Sequence, residues 1–135
     1  MLKINKQPCD MTENEIAAVG VDLCYQIHVM YGPGLLESVY EAILVYELRK
    51  LGFFVHQQYP IPVIHEEVQF EVGFRADVIV QRKLIVELKS VEVLSSVFSK
   101  ILLTYLRLTD IRLGLLVNFG EELIKNGIKR VVNNL

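Results

Sequence analysis

The stretch from Phe74 to Ser90 constrains the fold of this chain more than any other. Two apolar runs, Ala76 to Val80 and Leu84 to Leu88, flank the polar break Gln81-Arg82-Lys83. Side chains alternate along a strand, so in a hairpin Ala76, Val78 and Val80 share the core face with Leu84, Val86 and Leu88. Asp77, Ile79, Ile85, Glu87 and Lys89 fall on the other face. An unpaired charge in a sheet is costly, so Asp77, Glu87 and Lys89 either neutralise one another or form a site. Setting Asp77 across from Glu87 requires an odd number of loop residues, which Gln81 to Lys83 supplies. A two-residue loop would set Asp77 against Leu88 unless a bulge intervened.

The rest of the chain reads as the scaffold for this hairpin. Residues 1–11 lack periodicity and are expected to form a flexible tail before a single domain, residues 12–135. Thr12 and Glu15 have capping-box spacing, with Asp10 a competing cap. Ile16, Val19, Leu23, Ile27 and Met30 then recur at helical intervals up to the turn Tyr31-Gly-Pro-Gly34. A second helix is predicted over about residues 35–51, stopped by Gly52, with Leu36, Val39, Tyr40, Ile43, Leu44, Leu48 and Leu51 as its apolar stripe. Glu37 and Glu41 share one face of it. Glu37 lies in the first turn, where the helix dipole alone would favour a carboxylate.

From Phe53 the period becomes two. Residues 53–58 read as a strand, and Tyr59-Pro-Ile-Pro62 as no central strand, because neither proline can donate to a ladder. Another strand lies within 63–74, with a turn near Glu66-Glu67. A third helix is predicted over about 94–108. Residues 112–118 make a continuous apolar run suited to a strand buried on both faces. A short helix over 121–126, capped by Gly127, and an edge strand over 128–132 complete the order. The helix after Ser90 lets the following strand return in parallel through a crossover. The class is α/β, a sandwich around a mixed sheet.

Composition bounds the function. The chain has 135 residues, 52% apolar and 22% charged, enough for one domain with a real core. A mean hydropathy of +0.35 is high, yet no run reaches the roughly 18 apolar residues of a membrane span. The excess suits a dense core and a subunit interface, so self-association through an apolar surface is expected. No signal-like start precedes the domain, which points to the cytoplasm. Net charge −2 and a pI near 5.9 exclude a broad basic footprint for nucleic acid and leave only a local one. Cys9 and Cys24 have no metal or redox spacing and read as reduced thiols.

Two adjacent carboxylates repel unless something positive lies between them. A hard divalent cation such as Mg²⁺, or Mn²⁺, fills that role with oxygen ligands from Asp77 and Glu87, and the Leu88 backbone carbonyl would add another. Lys89, on the same face, would orient a water or stabilise developing negative charge. Those are the parts of metal-assisted phosphodiester hydrolysis. The competing reading is an ion pair of Lys89 with Asp77 or Glu87 on the sheet surface.

Gly34-Leu-Leu-Glu37-Ser-Val-Tyr40 resembles the motif that gives the GxxExxY proteins their name. Arg75-Ala-Asp77 followed by Glu87-Leu-Lys89 resembles the core of the PD-(D/E)xK nuclease superfamily, to which those proteins are assigned. Tyr105-Leu-Arg-Leu-Thr and Gly114-Leu-Leu-Val-Asn-Phe119 extend the likeness over about residues 12–133. The resemblance implies a restriction-endonuclease-like α/β/α sandwich with a central mixed sheet, and a Mg²⁺-dependent nuclease acting on DNA or RNA. By position, Asp77 and Glu87 would be metal ligands and Lys89 the water-orienting group. Glu37 would complete the metal site directly or through water, and Tyr40 would pack against or position Glu37. Family members often carry a Gln four residues before the tyrosine of the third helix, and a His three residues before that Gln. Here those positions are Ile101 and Phe98. That departure keeps a second reading open: a catalytically inactive nuclease-fold module that binds nucleic acid or protein.

No other constellation competes. His28, His56 and His65 lack zinc-helix spacing and a cysteine partner, and Gly32-Pro-Gly34 is too short for a phosphate cradle. Lys125, Lys129 and Arg130 form a basic cluster that reads as solvated surface.

Overall fold

The computed structural model describes residues 5–135. A 3₁₀ turn at Pro8–Asp10 precedes α1 (Glu13–Tyr31) and α2 (Glu37–Lys50). Three strands follow, β1 (Val55–His65), β2 (Val68–Val80) and β3 (Leu84–Lys89), then α3 (Val97–Thr109), β4 (Leu113–Asn118), a second 3₁₀ turn and β5 (Ile128–Val132). Among the described residues the sheet has five strands in the order β1-β2-β3-β4-β5. Only β3 and β4 are parallel, joined by the α3 crossover, and the other pairs are antiparallel. This is the mixed α/β architecture of a restriction-endonuclease-like fold. No helix among the described residues is long and apolar enough to cross a membrane.

The sheet separates two cores. Val78, Val80, Leu84, Val86 and Leu88 pack with α1 and α2 around Ile16, Tyr40 and Leu44, while Ile79 and Ile85 pack with Leu102 and Leu106 of α3. The expected alternation therefore holds from Val78 onward. It breaks at Ala76, which joins Ile61 in the second core instead of Val78 in the first. The break coincides with Gln58, whose φ is 50°.

Local sequence explains most boundaries. The Thr12 hydroxyl accepts from the Glu15 amide at 3.2 Å and the Glu15 carboxylate from the Thr12 amide at 3.0 Å, closing the capping box on α1. Met11, at the edge of the predicted tail, is buried, and its carbonyl accepts from Lys83 Nζ at 2.7 Å. Gly52 stops α2 with φ 92°. β1 runs through both Pro60 and Pro62, farther than the predicted 53–58, because it is an edge strand and slips register between Ile61 and Val63. The turn at Glu66-Glu67 makes β1 and β2 one long hairpin. The predicted helix over 121–126 contracts to a 3₁₀ turn at Ile124–Gly127. Met30, Leu36 and Leu51, predicted in apolar stripes, lie at helix ends and are exposed.

Candidate active site

The β2–β3 loop has three residues, and Val80↔Leu84, Ile79↔Ile85 and Val78↔Val86 are paired. The ladder opens beyond Val78, and there the charged residues meet. The Asp77 amide donates to Glu87 Oε1 at 3.1 Å, and Asp77 Oδ2 accepts from the Leu88 amide at 2.9 Å. The Asp77 carboxylate thus takes the place a backbone carbonyl would hold in a continued ladder. It sits within β2 where the pairing with β3 ends, at the point where the chain turns over at Ala76 and Gln58.

A residue's N–H and C=O point toward the same neighbouring strand. The Leu88 amide faces Asp77, so its carbonyl points to that side too. The next carbonyl, of Lys89, points the opposite way and accepts from Phe119 at 2.8 Å. Lys89 Nζ makes no salt bridge among the described residues and stands 4.4 Å from the centroid of Phe98. Glu87, Lys89, Phe98, Ile101 and Tyr105 line a cleft of about 80 Å³, room for only a few waters. The two departures from the family pattern therefore do face the site, with apolar side chains.

Glu37 enters from the first turn of α2 and is placed by its loop. The buried Tyr40 donates its hydroxyl to the Gly32 carbonyl and accepts from the Leu35 amide at 3.0 Å, while its ring stacks on Phe119 with centroids 4.2 Å apart. Ser90 Oγ donates to the Leu35 carbonyl at 3.0 Å, tying the end of β3 to the same loop. Burial raises the Glu37 carboxyl above its ordinary range. Lys89 opposes that rise, and Asp77 and Glu41 add to it. Among the described residues no three His, Cys, Asp or Glu side chains are gathered to hold a metal ion, so Glu37 does not form a three-carboxylate cluster with Asp77 and Glu87.

Glu87 is the most perturbed group of the set. It is 7% exposed, and burial, then the facing Asp77 carboxylate, pushes it up to about 9. Lys89 only partly offsets this. Tyr105 is raised by burial and by the charges of Glu87 and Asp77. The arrangement is an acid pair held where the β2–β3 ladder opens and short of positive charge.

A family model of the PD-(D/E)XK nuclease superfamily matches residues 14–131. The chain belongs to that superfamily. The match spans Glu37, Asp77, Glu87 and Lys89 together with both helical layers of this PD-(D/E)XK fold. No curated protein and no solved structure matches the chain.

Glu41 was not singled out from the sequence as part of the site. It is buried and accepts from Gln57 Nε2 at 2.8 Å and from Gln58 Nε2 at 2.7 Å, and Gln58 Nε2 also lies 3.1 Å from Asp77 Oδ1. Gln58 therefore links the second carboxylate of α2 to Asp77. The available signal was an acid one turn after Glu37 within an apolar stripe. His28 is held apart from the site by a 2.8 Å hydrogen bond to the Glu121 carbonyl.

Proposed function

We propose that this superfamily member is a divalent-metal-dependent nuclease that hydrolyses phosphodiester bonds in DNA or RNA. One observation carries the reading: Asp77 and Glu87 converge where the β2–β3 ladder opens, each held by a backbone amide of the other strand. The donor set fits a hard cation. Two carboxylates and the Leu88 carbonyl point to one side, and Mg²⁺ ordinarily takes one or two carboxylates and keeps several waters. Bound there, such an ion would polarise a phosphoryl oxygen and lower the pKa of a water. Asp77 and Glu87 would hold it. Lys89 would orient the attacking water, and Glu37 would act through water. Gly34, Glu37 and Tyr40 support a finer placement among the GxxExxY proteins.

The inactive-module reading is favoured by a separate observation. Phe98 holds the Lys89 ammonium against its ring, and Ile101 closes the same cleft with an apolar side chain. Cleavage of single- and double-stranded DNA and RNA with Mg²⁺ or Mn²⁺ separates the two. The nuclease reading expects activity that disappears in Asp77→Ala and in Glu87→Ala and falls sharply in Lys89→Ala. Activity surviving all three changes, or none in the wild type with any substrate, rejects it.

A further inference from the structure

A second cleft, of about 270 Å³, lies between β1 and the C-terminal end of α3. His56 and Tyr59 give it an aromatic wall, with the rings 4.9 Å apart and inclined at 67°. Ile79 and Ile111 give it an apolar floor, and Arg82 and Asp110 bring opposite charges to it. The His56 ring is also packed edge-on against Phe54, with centroids 4.8 Å apart, which fixes its orientation at the cleft.

Two turns carry polar residues to the cleft. Gln81 and Arg82, both with φ of 54°, are the central pair of the β2–β3 hairpin turn, closed by the Lys83 amide on the Val80 carbonyl at 2.9 Å. Asp110, with φ 57°, is the left-handed C-cap of α3. Here the Gln81 amide donates to the Phe54 carbonyl at 2.8 Å, and Gln81 Oε1 accepts from the Phe54 amide at 2.5 Å. Those bonds hold the turn that carries Arg82. No salt bridge joins Arg82 to Asp110, and the Arg82 guanidinium stands over the Phe54 ring, 5.7 Å from its centroid.

An aromatic wall, an apolar floor, a guanidinium fork and a carboxylate suit a flat heteroaromatic molecule with donors and acceptors on its edges. Unstacked nucleobases are held in this way, by stacking on aromatic rings and hydrogen bonding at their edges. A cleft of this size takes one base. Ile79 pairs with His56 across the sheet and lies two residues from Asp77, about 7 Å along β2. We propose that this cleft holds a nucleobase of the polynucleotide whose backbone lies across Asp77 and Glu87. The assignment rests on the nuclease reading for its substrate and adds a base-binding subsite to it.

The test is read without metal or turnover. His56 imidazole resonances, identified by their loss in His56→Gln, are followed by NMR in EDTA. The probes are the four common nucleoside 5′-monophosphates and single-stranded tetranucleotides of each base. At least one base should shift His56 saturably, with the tetranucleotide binding more tightly than its mononucleotide. Arg82→Ala should weaken that binding about ten-fold, the cost of a charge-assisted hydrogen bond. Asp110→Asn, which the left-handed backbone tolerates, should change the order of preference among bases. A His56 signal unmoved at about 10 mM of every probe, where even millimolar binding would register, overturns the proposal. So does binding indifferent to both substitutions. Tighter binding of a mononucleotide than of its tetranucleotide overturns the placement on a polynucleotide. A silent His56 in a protein that cleaves rejects the subsite alone, and a responsive His56 in a protein that never cleaves rejects the nuclease reading alone.

Discussion

Glu87→Gln should make the metal-free protein more stable at alkaline pH, against the usual expectation for loss of a catalytic acid. The Glu87 carboxyl ionises near 4.5 in its ordinary state and at about 9 in the fold. Between those values the folded chain binds a proton that the unfolded chain has released. Stability from this group is therefore complete below about pH 4.5 and is lost as pH rises toward 9. A whole proton corresponds to about 1.4 kcal/mol per pH unit. Solvent at the cleft and relaxation reduce this, so a loss of about 1–3 kcal/mol is expected between about pH 6 and pH 8. For a chain of this length that is roughly 3–10 °C in Tm. Gln keeps the shape and the bond to the Asp77 amide but carries no charge at any pH. Thermal melts by circular dichroism in EDTA should show the wild type falling relative to Glu87→Gln across that range. Adding Mg²⁺ should shrink the wild-type loss, since a bound cation favours the ionised pair. Parallel curves for the two proteins in EDTA would refute the reasoning.

The other predictions concern the parts that place the site. Tyr40→Phe removes a hydroxyl bonded to both Gly32 and Leu35 and should cost about 1–3 kcal/mol in urea denaturation, with a lower cleavage rate through displacement of Glu37. Gly120→Ala would put a Cβ 2.2 Å from the Val91 carbonyl oxygen. The Val91 atoms it meets are backbone and cannot swing aside, so a loss of at least about 3 kcal/mol or failure to accumulate as folded protein is expected, read by melting and expression. Phe98→His with Ile101→Gln restores polar side chains to the cleft and frees Lys89, and should raise affinity for single-stranded oligonucleotides in fluorescence anisotropy. An unchanged affinity would show that these positions do not meet the substrate.

How much of this was legible in the sequence varied with the range of the physics involved. The capping box at Thr12, the stop at Gly52, the alternation from Val78 onward and the buried run of β4 are local patterns, and they predicted their elements closely. The three-residue loop set the register that brings Asp77 to Glu87, because strand parity leaves few alternatives. The strand's turnover at Ala76 was not legible, since it accompanies a left-handed Gln58 and no glycine marks that position. The path of β1 through Pro60 and Pro62 depended on its being an edge strand, which only the assembled sheet decides. Glu41 and its two glutamines form a network between α2 and β1, residues 16 and 17 positions apart, where spacing carries no signal. The stacking of Lys89 on Phe98, a position that departs from the family pattern, was hidden for the same reason.

The proposed nuclease chemistry requires Asp77 and Glu87 to bind one divalent ion together with the Leu88 carbonyl. Crystals grown or soaked with Mn²⁺ test it through anomalous scattering. The expected result is a single anomalous peak roughly 2.0–2.3 Å from a carboxylate oxygen of each acid and from the Leu88 carbonyl, absent in Asp77→Ala. Crystals with no peak between Asp77 and Glu87 at saturating Mn²⁺, or with a peak that survives Asp77→Ala, would contradict it.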